Sequence, residues 1–194
     1  SGINGVLTFT NSASYMTTLR INNVFVAKTR HNWKIKYTAT DPNGVLADIY
    51  GHCDGFEFDT SAKTGTGSPY YALRPGAIVE NAHFLAGRVS SAPTDAAGLI
   101  RFAEYANGVI ATLINPEIEL TSTSLSGSVF TGGYVTSGII KVFGGRIYGA
   151  GAITGQAVFS YKGSGDAYGT VYDTVGFQIP RSMDIINTTV SRNA

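Results

Sequence analysis

Two short acidic segments carry the residues whose types and spacing best suit chemistry. Glu57 and Asp59 are two positions apart, and Glu117 and Glu119 repeat that spacing. Residues two apart on a strand share one face, with their Cα atoms roughly 6–7 Å from each other. Glycoside hydrolysis uses paired carboxylates, one as acid and the other as base or nucleophile, and this spacing suits either stereochemical class. Asp54 is a further acid close to the first pair. The predicted catalytic residues are Asp54, Glu57, Asp59, Glu117 and Glu119.

The same alternation also fits an ordinary solvated strand surface. Phe56 and Phe58 in the first segment, and Ile118 and Leu120 in the second, then face the core while the acids face water. The two interpretations share one geometry and differ in whether the acids meet a ligand. If the repeats that carry the acids stack on each other, the two segments line one groove.

A second group of residues suits contact with sugars. In His31-Asn32-Trp33 an indole face can stack on a pyranose while its polar neighbours bind hydroxyl groups. The alternative for Trp33 is core packing in line with Ile35 and Tyr37. Residues 60–69 predict a polar loop at the surface, and two tyrosines lie at its exit. The predicted carbohydrate-binding residues are His31, Trp33, Tyr70 and Tyr71.

The sequence predicts no metal site and no cofactor. It contains no His-x-x-x-His, Cys-x-x-Cys or Asp-x-Asp spacing. Gly144-Gly145 lacks the helix and the Lys-Ser/Thr that a phosphate loop needs, so it predicts a tight corner. The single cysteine, Cys53, excludes an intrachain disulfide and is expected to face inward.

Composition predicts one all-β domain. The 194 residues include 24 glycines, and only 14% of the residues are charged, well below the usual quarter. A net charge of +1 without a basic run argues against nucleic-acid binding. No apolar stretch is long enough for a transmembrane helix, so no membrane insertion is expected.

A turn followed by a strand recurs along the chain. The intervals between successive copies are 31, 27, 34, 30 and 29 residues. Because no amphipathic helix is evident, strands and turns must make the crossovers of any parallel sheet. Stacked coils of about 30 residues predict a parallel β-helix, and evenly spaced strands leave a β-sandwich or jelly roll as the alternative. The anchors are Asn23, Asp54, Asn81, Asn115, Gly145 and Thr174.

The residues 19–26 and 78–87 resemble rungs of pectate-lyase-like right-handed β-helices. The low charge and the Tyr, Thr and Gly content are similar to the versions in bacteriophage tailspikes and tail-fibre proteins. This resemblance implies a homotrimer in the virion, extracellular, that binds and often cleaves bacterial surface polysaccharide. We expect residues 1–179 to form the β-helix as part of a longer chain, and residues 180–194 to be a cap, linker or tail.

Three functions follow as hypotheses. The first is a structural and receptor-binding module of a phage tailspike or tail fibre that engages bacterial surface polysaccharide. The second is a polysaccharide depolymerase, either a glycoside hydrolase or a lyase, that uses the paired carboxylates. The third is a jelly-roll carbohydrate-binding or capsid domain.

Overall fold

The structure is a computed structural model that describes residues 5–9, 19–22, 33–67, 69–89, 98–102, 109–122, 128–131, 138–149, 158–160, 170–181 and 183. These ranges contain seventeen β-strands and no α-helix. They accordingly hold no helix that is long and apolar enough to cross a membrane.

The strands form three sheets. Sheet A contains β1 (Gly5–Phe9), β3 (Trp33–Tyr37), β6 (Phe56–Thr60), β9 (His83–Ala86), β12 (Glu117–Leu120) and β15 (Arg146–Gly149). Sheet B contains β2 (Leu19–Asn22), β4 (Gly44–Tyr50), β7 (Pro69–Leu73), β10 (Gly98–Phe102), β13 (Ser128–Thr131) and β16 (Phe159–Ser160). Sheet C contains β5 (His52–Asp54), β8 (Ile78–Glu80), β11 (Val109–Ile114), β14 (Gly138–Phe143) and β17 (Thr170–Val175).

From β3 onward the described strands follow the repeating order A, B, C, and each strand pairs with its equivalent one rung away. Every described strand pair is parallel. This is a β-solenoid, so the predicted parallel β-helix is confirmed. The alternative β-sandwich or jelly roll is wrong, because its hairpins need antiparallel neighbours.

The core is built from stacked rows of inward side chains. Ile35, Phe58, Phe84, Ile118 and Ile147 are register partners on successive strands of sheet A, and all five are buried. The rings of Phe58 and Phe84 stack with centroids 5.1 Å apart. Equivalent positions on every rung thus bury one another, which a single rung could not do.

The corner from sheet C to sheet A is tight and uses the left-handed backbone region. Asn81 and Asn115 have φ of 49° and 50°, and Gly55, Gly144 and Gly176 occupy the same corner with φ of 81°, 62° and 70°. Gly and Asn tolerate this region, whereas other side chains are strained there. The amide NH groups at the corner still donate to the next rung, at 2.8 Å from Asn81 to the carbonyl of Ile114.

The sequence anchors therefore mark this corner. Asp54, Asn81, Asn115 and Gly145 lie in or beside it, and Thr174 lies two residues before Gly176. Side chains also pair along the corner: Asn81 donates to Asp54 at 3.0 Å, and Asn115 donates to Asn81 at 3.4 Å. The anchor at residue 23 lies outside the described residues.

The corner from sheet A to sheet B is made by longer loops. The loop predicted over residues 60–69 is present, between β6 and β7. Its expected surface position is only partly correct, because Lys63 is buried. The Lys63 ammonium donates to the carbonyl oxygens of Gly65 at 2.9 Å and Arg88 at 2.7 Å, which joins the loops of two rungs.

The described residues cover only part of the cap, linker or tail that was predicted over residues 180–194. Met183 is buried against the core. The remainder of the expected cap, linker or tail, beyond Met183, lies outside the described residues.

Candidate functional site

Two rows of side chains, polar except for Leu85, run along the outer face of sheet A. Each row contains register partners from β3, β6, β9, β12 and β15. Opposite charges and hydrogen-bonding groups on neighbouring strands stabilise such rows. The first row is Lys34, Glu57, His83, Glu117 and Arg146, and the second is Lys36, Asp59, Leu85, Glu119 and Tyr148.

Four of these side chains form a connected cluster, which we call the His83 cluster: Glu57, His83, Glu119 and Tyr148. The Nε2 atom of His83 lies 3.1 Å from Oε2 of Glu119, and its Nδ1 atom lies 3.5 Å from Oε2 of Glu57. The Tyr148 hydroxyl donates to the same Glu119 oxygen at 3.2 Å and lies 3.3 Å from Nε2 of His83. The imidazole therefore connects two carboxylates that belong to strands on either side of it.

Protonation of His83 decides how well this cluster is satisfied. A neutral imidazole can donate from one nitrogen only, whereas the imidazolium donates from both. Since a carboxylate faces each ring nitrogen, the doubly protonated ring is the form that satisfies both contacts. Burial, followed by the charges of Glu119 and Glu117, raises the pKa of Tyr148, which keeps this hydroxyl protonated as a donor.

The N-terminal end of the site is buried. Glu57 and Asp59 are both below a tenth exposed, and Lys34 lies 2.5 Å from Glu57 and 3.6 Å from Asp59. The hydrogen bond with Glu57 is the main cause that raises the pKa of Lys34. Asp59 also accepts hydrogen bonds from the backbone NH and the hydroxyl of Ser61. These two carboxylates are therefore fixed by protein partners.

The C-terminal end of the site is open. The Glu119 side chain is 36% exposed and that of Arg146 is 52% exposed. The guanidinium of Arg146 lies 3.6 Å from Glu117 and sits over the ring of Tyr148, 4.6 Å from its centroid. These groups are consequently available to a ligand approaching from solvent.

A groove of about 400 Å³ adjoins this open end, at the corner between sheets C and A. Backbone glycines of the corner form part of its wall, and carboxylate, guanidinium and amide side chains form the rest. These planar polar groups can donate to and accept from hydroxyl groups. The residues that line the groove are Asn115, Glu117, Gly144, Gly145, Arg146, Gly176 and Gln178.

The structure brings together four of the five predicted catalytic residues on one face. Glu57, Asp59, Glu117 and Glu119 all lie on the outer face of sheet A, with the His83 strand between the two pairs. Asp54 lies apart, at the end of β5 in sheet C, where it accepts from Asn81. Burial separates the two pairs further, because Glu119 reaches solvent and Asp59 does not.

The predicted sugar-contact residues do not form one surface patch. Tyr71 is fully buried in the core, with its ring centroid 4.9 Å from that of Phe58. Tyr70 is also buried, beneath the guanidinium of Arg101, which lies 3.2 Å from its ring centroid. Both tyrosines are therefore withdrawn from the site. Trp33 begins β3, but its side chain lies outside the described residues, as does His31.

The prediction from sequence missed His83, Tyr148, Arg146 and Gln178 as site residues. A signal for three of them exists, because His83, Arg146 and Gln178 are each the second residue after a left-handed corner residue, and Tyr148 follows Arg146 by two positions on the same strand. Gln178 continues the first row through its bridge to Arg146. Among the described residues, no group of three or more His, Cys, Asp or Glu side chains is placed to hold a metal ion.

The chain matches no protein-family model, and neither a curated protein nor a solved structure is significantly similar to it. The fold and the geometry of the outer face of sheet A therefore carry the functional argument.

Proposed function

We propose that this chain is a receptor-binding module of a phage tailspike or tail fibre, extracellular in the virion, that engages bacterial surface polysaccharide. The observation that carries the binding proposal is the open polar groove beside the exposed end of the outer face of sheet A. The β-solenoid supports it, because a rigid stack of rungs presents side chains at fixed spacing to an extended polymer. The assignment to a phage rests on the resemblance of residues 19–26 and 78–87, and of the amino-acid composition, to tailspike β-helices.

The groove suits a sugar polymer in its chemistry and in its shape. Sugar hydroxyls both donate and accept, and Glu117, Arg146 and Gln178 supply acceptors, donors and both together. The groove is open along the surface, so a chain can pass through it without being enclosed. Of its three glycines, Gly176 leaves space beside its Cα atom, where a methyl group would lie 3.8 Å from its nearest neighbour, whereas Asn115 and Pro116 fill that space at Gly144 and Gly145.

A polysaccharide depolymerase is the second candidate, and the His83 cluster favours it. Glu119 is the exposed carboxylate of the cluster, and His83 and Tyr148 hold the same oxygen of it. General acid or base catalysis needs a carboxylate or imidazole positioned in this way. Glu57 and Asp59 have no direct catalytic part in this candidate, because Lys34 already pairs with Glu57 and the Ser61 hydroxyl already donates to Asp59.

One set of variants tests both candidates on a panel of purified capsular and O-antigen polysaccharides. Binding to the immobilised polymers and release of reducing ends or unsaturated sugars are measured together. Arg146→Ala should weaken binding at least tenfold, because it removes the charged donor of the groove. Arg181→Ala, an exposed arginine that does not line the groove, is the matched control and should bind as the unmodified chain does.

The outcomes separate the two candidates. Retention without product formation supports a binding module. Product formation that is lost in Glu119→Gln, while binding persists, supports the depolymerase. No binding to any polymer of the panel, or equal binding by the Arg146→Ala variant, would contradict the proposed groove.

A further inference from the structure

The outer face of sheet C is apolar and exposed. Four large hydrophobic side chains of the described residues are more than a third exposed, and all four lie on this face. They fall into two rows: Ile110 and Val171 share one row, and Phe143 and Val175 share the other. Their exposed fractions are 45% for Ile110, 37% for Phe143, 55% for Val171 and 58% for Val175. A clustered apolar surface of this kind marks a contact site.

A polar row runs between the two apolar rows and carries opposite charges on adjacent strands. Lys141 on β14 and Asp173 on β17 are register partners, so they lie at the same position along their strands. Both side chains reach the outer surface, and Asp173 is exposed. The face is thus self-complementary in charge as well as apolar at its margins.

We propose that a second copy of this chain covers this face with its own sheet C, related by a two-fold axis parallel to the strands. Such an axis, between β14 and β17, reverses the order of the rungs. It brings Lys141 opposite Asp173 of the second copy, and the reverse, as an isologous contact requires. It also brings the row of Ile139 and Val171 onto its equivalent, so that apolar rows meet apolar rows.

Charge distinguishes this arrangement from parallel ones. An axis parallel to the solenoid keeps equivalent rungs level with each other. Each Lys141 then faces Lys141 of another copy, and each Asp173 faces Asp173, which costs energy through like-charge repulsion. The parallel homotrimer implied by the tailspike resemblance has this drawback if it packs through sheet C. The antiparallel pair is therefore the arrangement that the described charges favour.

The area of the outer face of sheet C sets the expected strength of the association between two copies. Six residues along each of three strands give a surface of roughly 20 Å by 14 Å, counting about 3.3 Å per residue and 4.8 Å between strands. This is well below the ~800 Å² per partner of a standard stable interface. We therefore expect an association that depends on concentration, with the 20.5 kDa chain in equilibrium with a particle of twice that mass.

Sedimentation velocity over a range of concentrations tests the association. The average mass should rise towards twice the chain mass, and Val171→Arg should keep the chain monomeric at every concentration, because Val171 is exposed on the face that the second copy covers. A matched Thr121→Arg variant places the same charge at an exposed position outside sheet C and should leave the association unchanged. Val171 lies at the opposite end of β17 from the groove residue Gly176, so Val171→Arg should retain any polysaccharide binding, and each proposal can fail without the other. A chain that is monomeric throughout overturns the inference.

Disulfide trapping tests the orientation. Lys141→Cys and Asp173→Cys chains are mixed and oxidised, which leaves one Lys141–Asp173 pair intact in the mixed dimer. The proposed axis predicts that the mixture forms a cross-link and that neither variant alone does. Cross-linking of the Lys141→Cys variant with itself, or a trimer mass, would instead show a parallel arrangement and overturn the two-fold axis. Cys53 is buried and stays out of the reaction.

Discussion

Lys63 is a buried cation at the corner between sheets A and B. Its ammonium donates to the carbonyl oxygens of Gly65 and Arg88, and burial lowers its pKa to about 8. The charge of Asp41 opposes this shift and that of Arg88 adds to it. The residue thus holds two loops together at the cost of a desolvated charge.

This buried lysine predicts an unusual dependence of stability on pH. The folded chain releases the Lys63 proton at about pH 8, whereas the unfolded chain keeps it until about pH 10.5. Because the unfolded state binds more protons between these values, the Lys63 contribution to the free energy of unfolding rises with pH there. Urea denaturation of the unmodified chain should show this rise from pH 7.5 to 9.5, below the ordinary pKa of 10.0 at which Tyr37 and Tyr71 ionise in the unfolded chain.

A Lys63→Met variant should lose that rise, while Lys36→Met, which removes a partly exposed lysine of sheet A, should keep it. Parallel curves for the unmodified chain and the Lys63→Met variant would show that Lys63 does not titrate in this window.

At the scale of elements, the corner between sheets C and A depends on residues that accept a left-handed backbone. Asn81 does this and also bridges two rungs, because it donates to Asp54 and accepts from Asn115. Forcing a side chain other than Asn or Asp into this region costs about 1–2 kcal/mol. The corner therefore depends on backbone conformation and on side-chain pairing together.

Substitution at Asn81 separates these two contributions. Asn81→Ala should lower the free energy of unfolding by about 2–3 kcal/mol, since it adds backbone strain to the lost hydrogen bonds. Asn81→Gly keeps the conformation and should lose only about 1 kcal/mol. Chemical denaturation of both variants measures the difference. Equal losses would indicate that the side-chain bridge, and not the backbone, is what the corner requires.

The sequence predicted this corner well because its cause is local. A left-handed turn needs Gly or Asn, so the spacing of Asp54, Asn81 and Asn115 revealed the rung length and the parallel stacking. Alternation then placed Glu57 and Glu119 outward with little further information. The alternation noted for Ile35 and Tyr37 likewise agrees with β3, in which both side chains are buried.

Burial on the outer faces was not predictable in the same way. Burial there depends on the loops between sheets A and B, whose paths do not repeat from rung to rung. Lys63 was expected in a surface loop and is buried, and Tyr70 was expected at the surface and lies under Arg101. The His83 cluster was missed because each of its members comes from a different rung, so no short motif contains it.

At the scale of the whole molecule, packing is graded along the solenoid. The strands β6 and β7 are buried along their entire length, and three rings of Phe58, Tyr71 and Phe84 meet there. In β17, by contrast, most described side chains are exposed. In a stack of repeats, each rung is stabilised mainly by its neighbours, so local opening should follow this gradient.

Native-state hydrogen exchange should therefore be slowest for amides in β6 and β7 and faster by at least tenfold for those in β17. The measurement is exchange followed by NMR or mass spectrometry at neutral pH. Identical protection at the two positions would mean that the stack opens only as one unit.

The corner between sheets C and A also sets which residue of each rung points outward. Counting two residues onward from the left-handed position reaches Glu57 after Gly55, His83 after Asn81, Glu117 after Asn115, Arg146 after Gly144 and Gln178 after Gly176. The corner thus fixes the position of each rung that points to the outer face of sheet A, and successive rungs repeat that position at intervals of about 4.8 Å. The outward residue of one rung can therefore be substituted while the residues on either side of it, which pack in the core, stay unchanged.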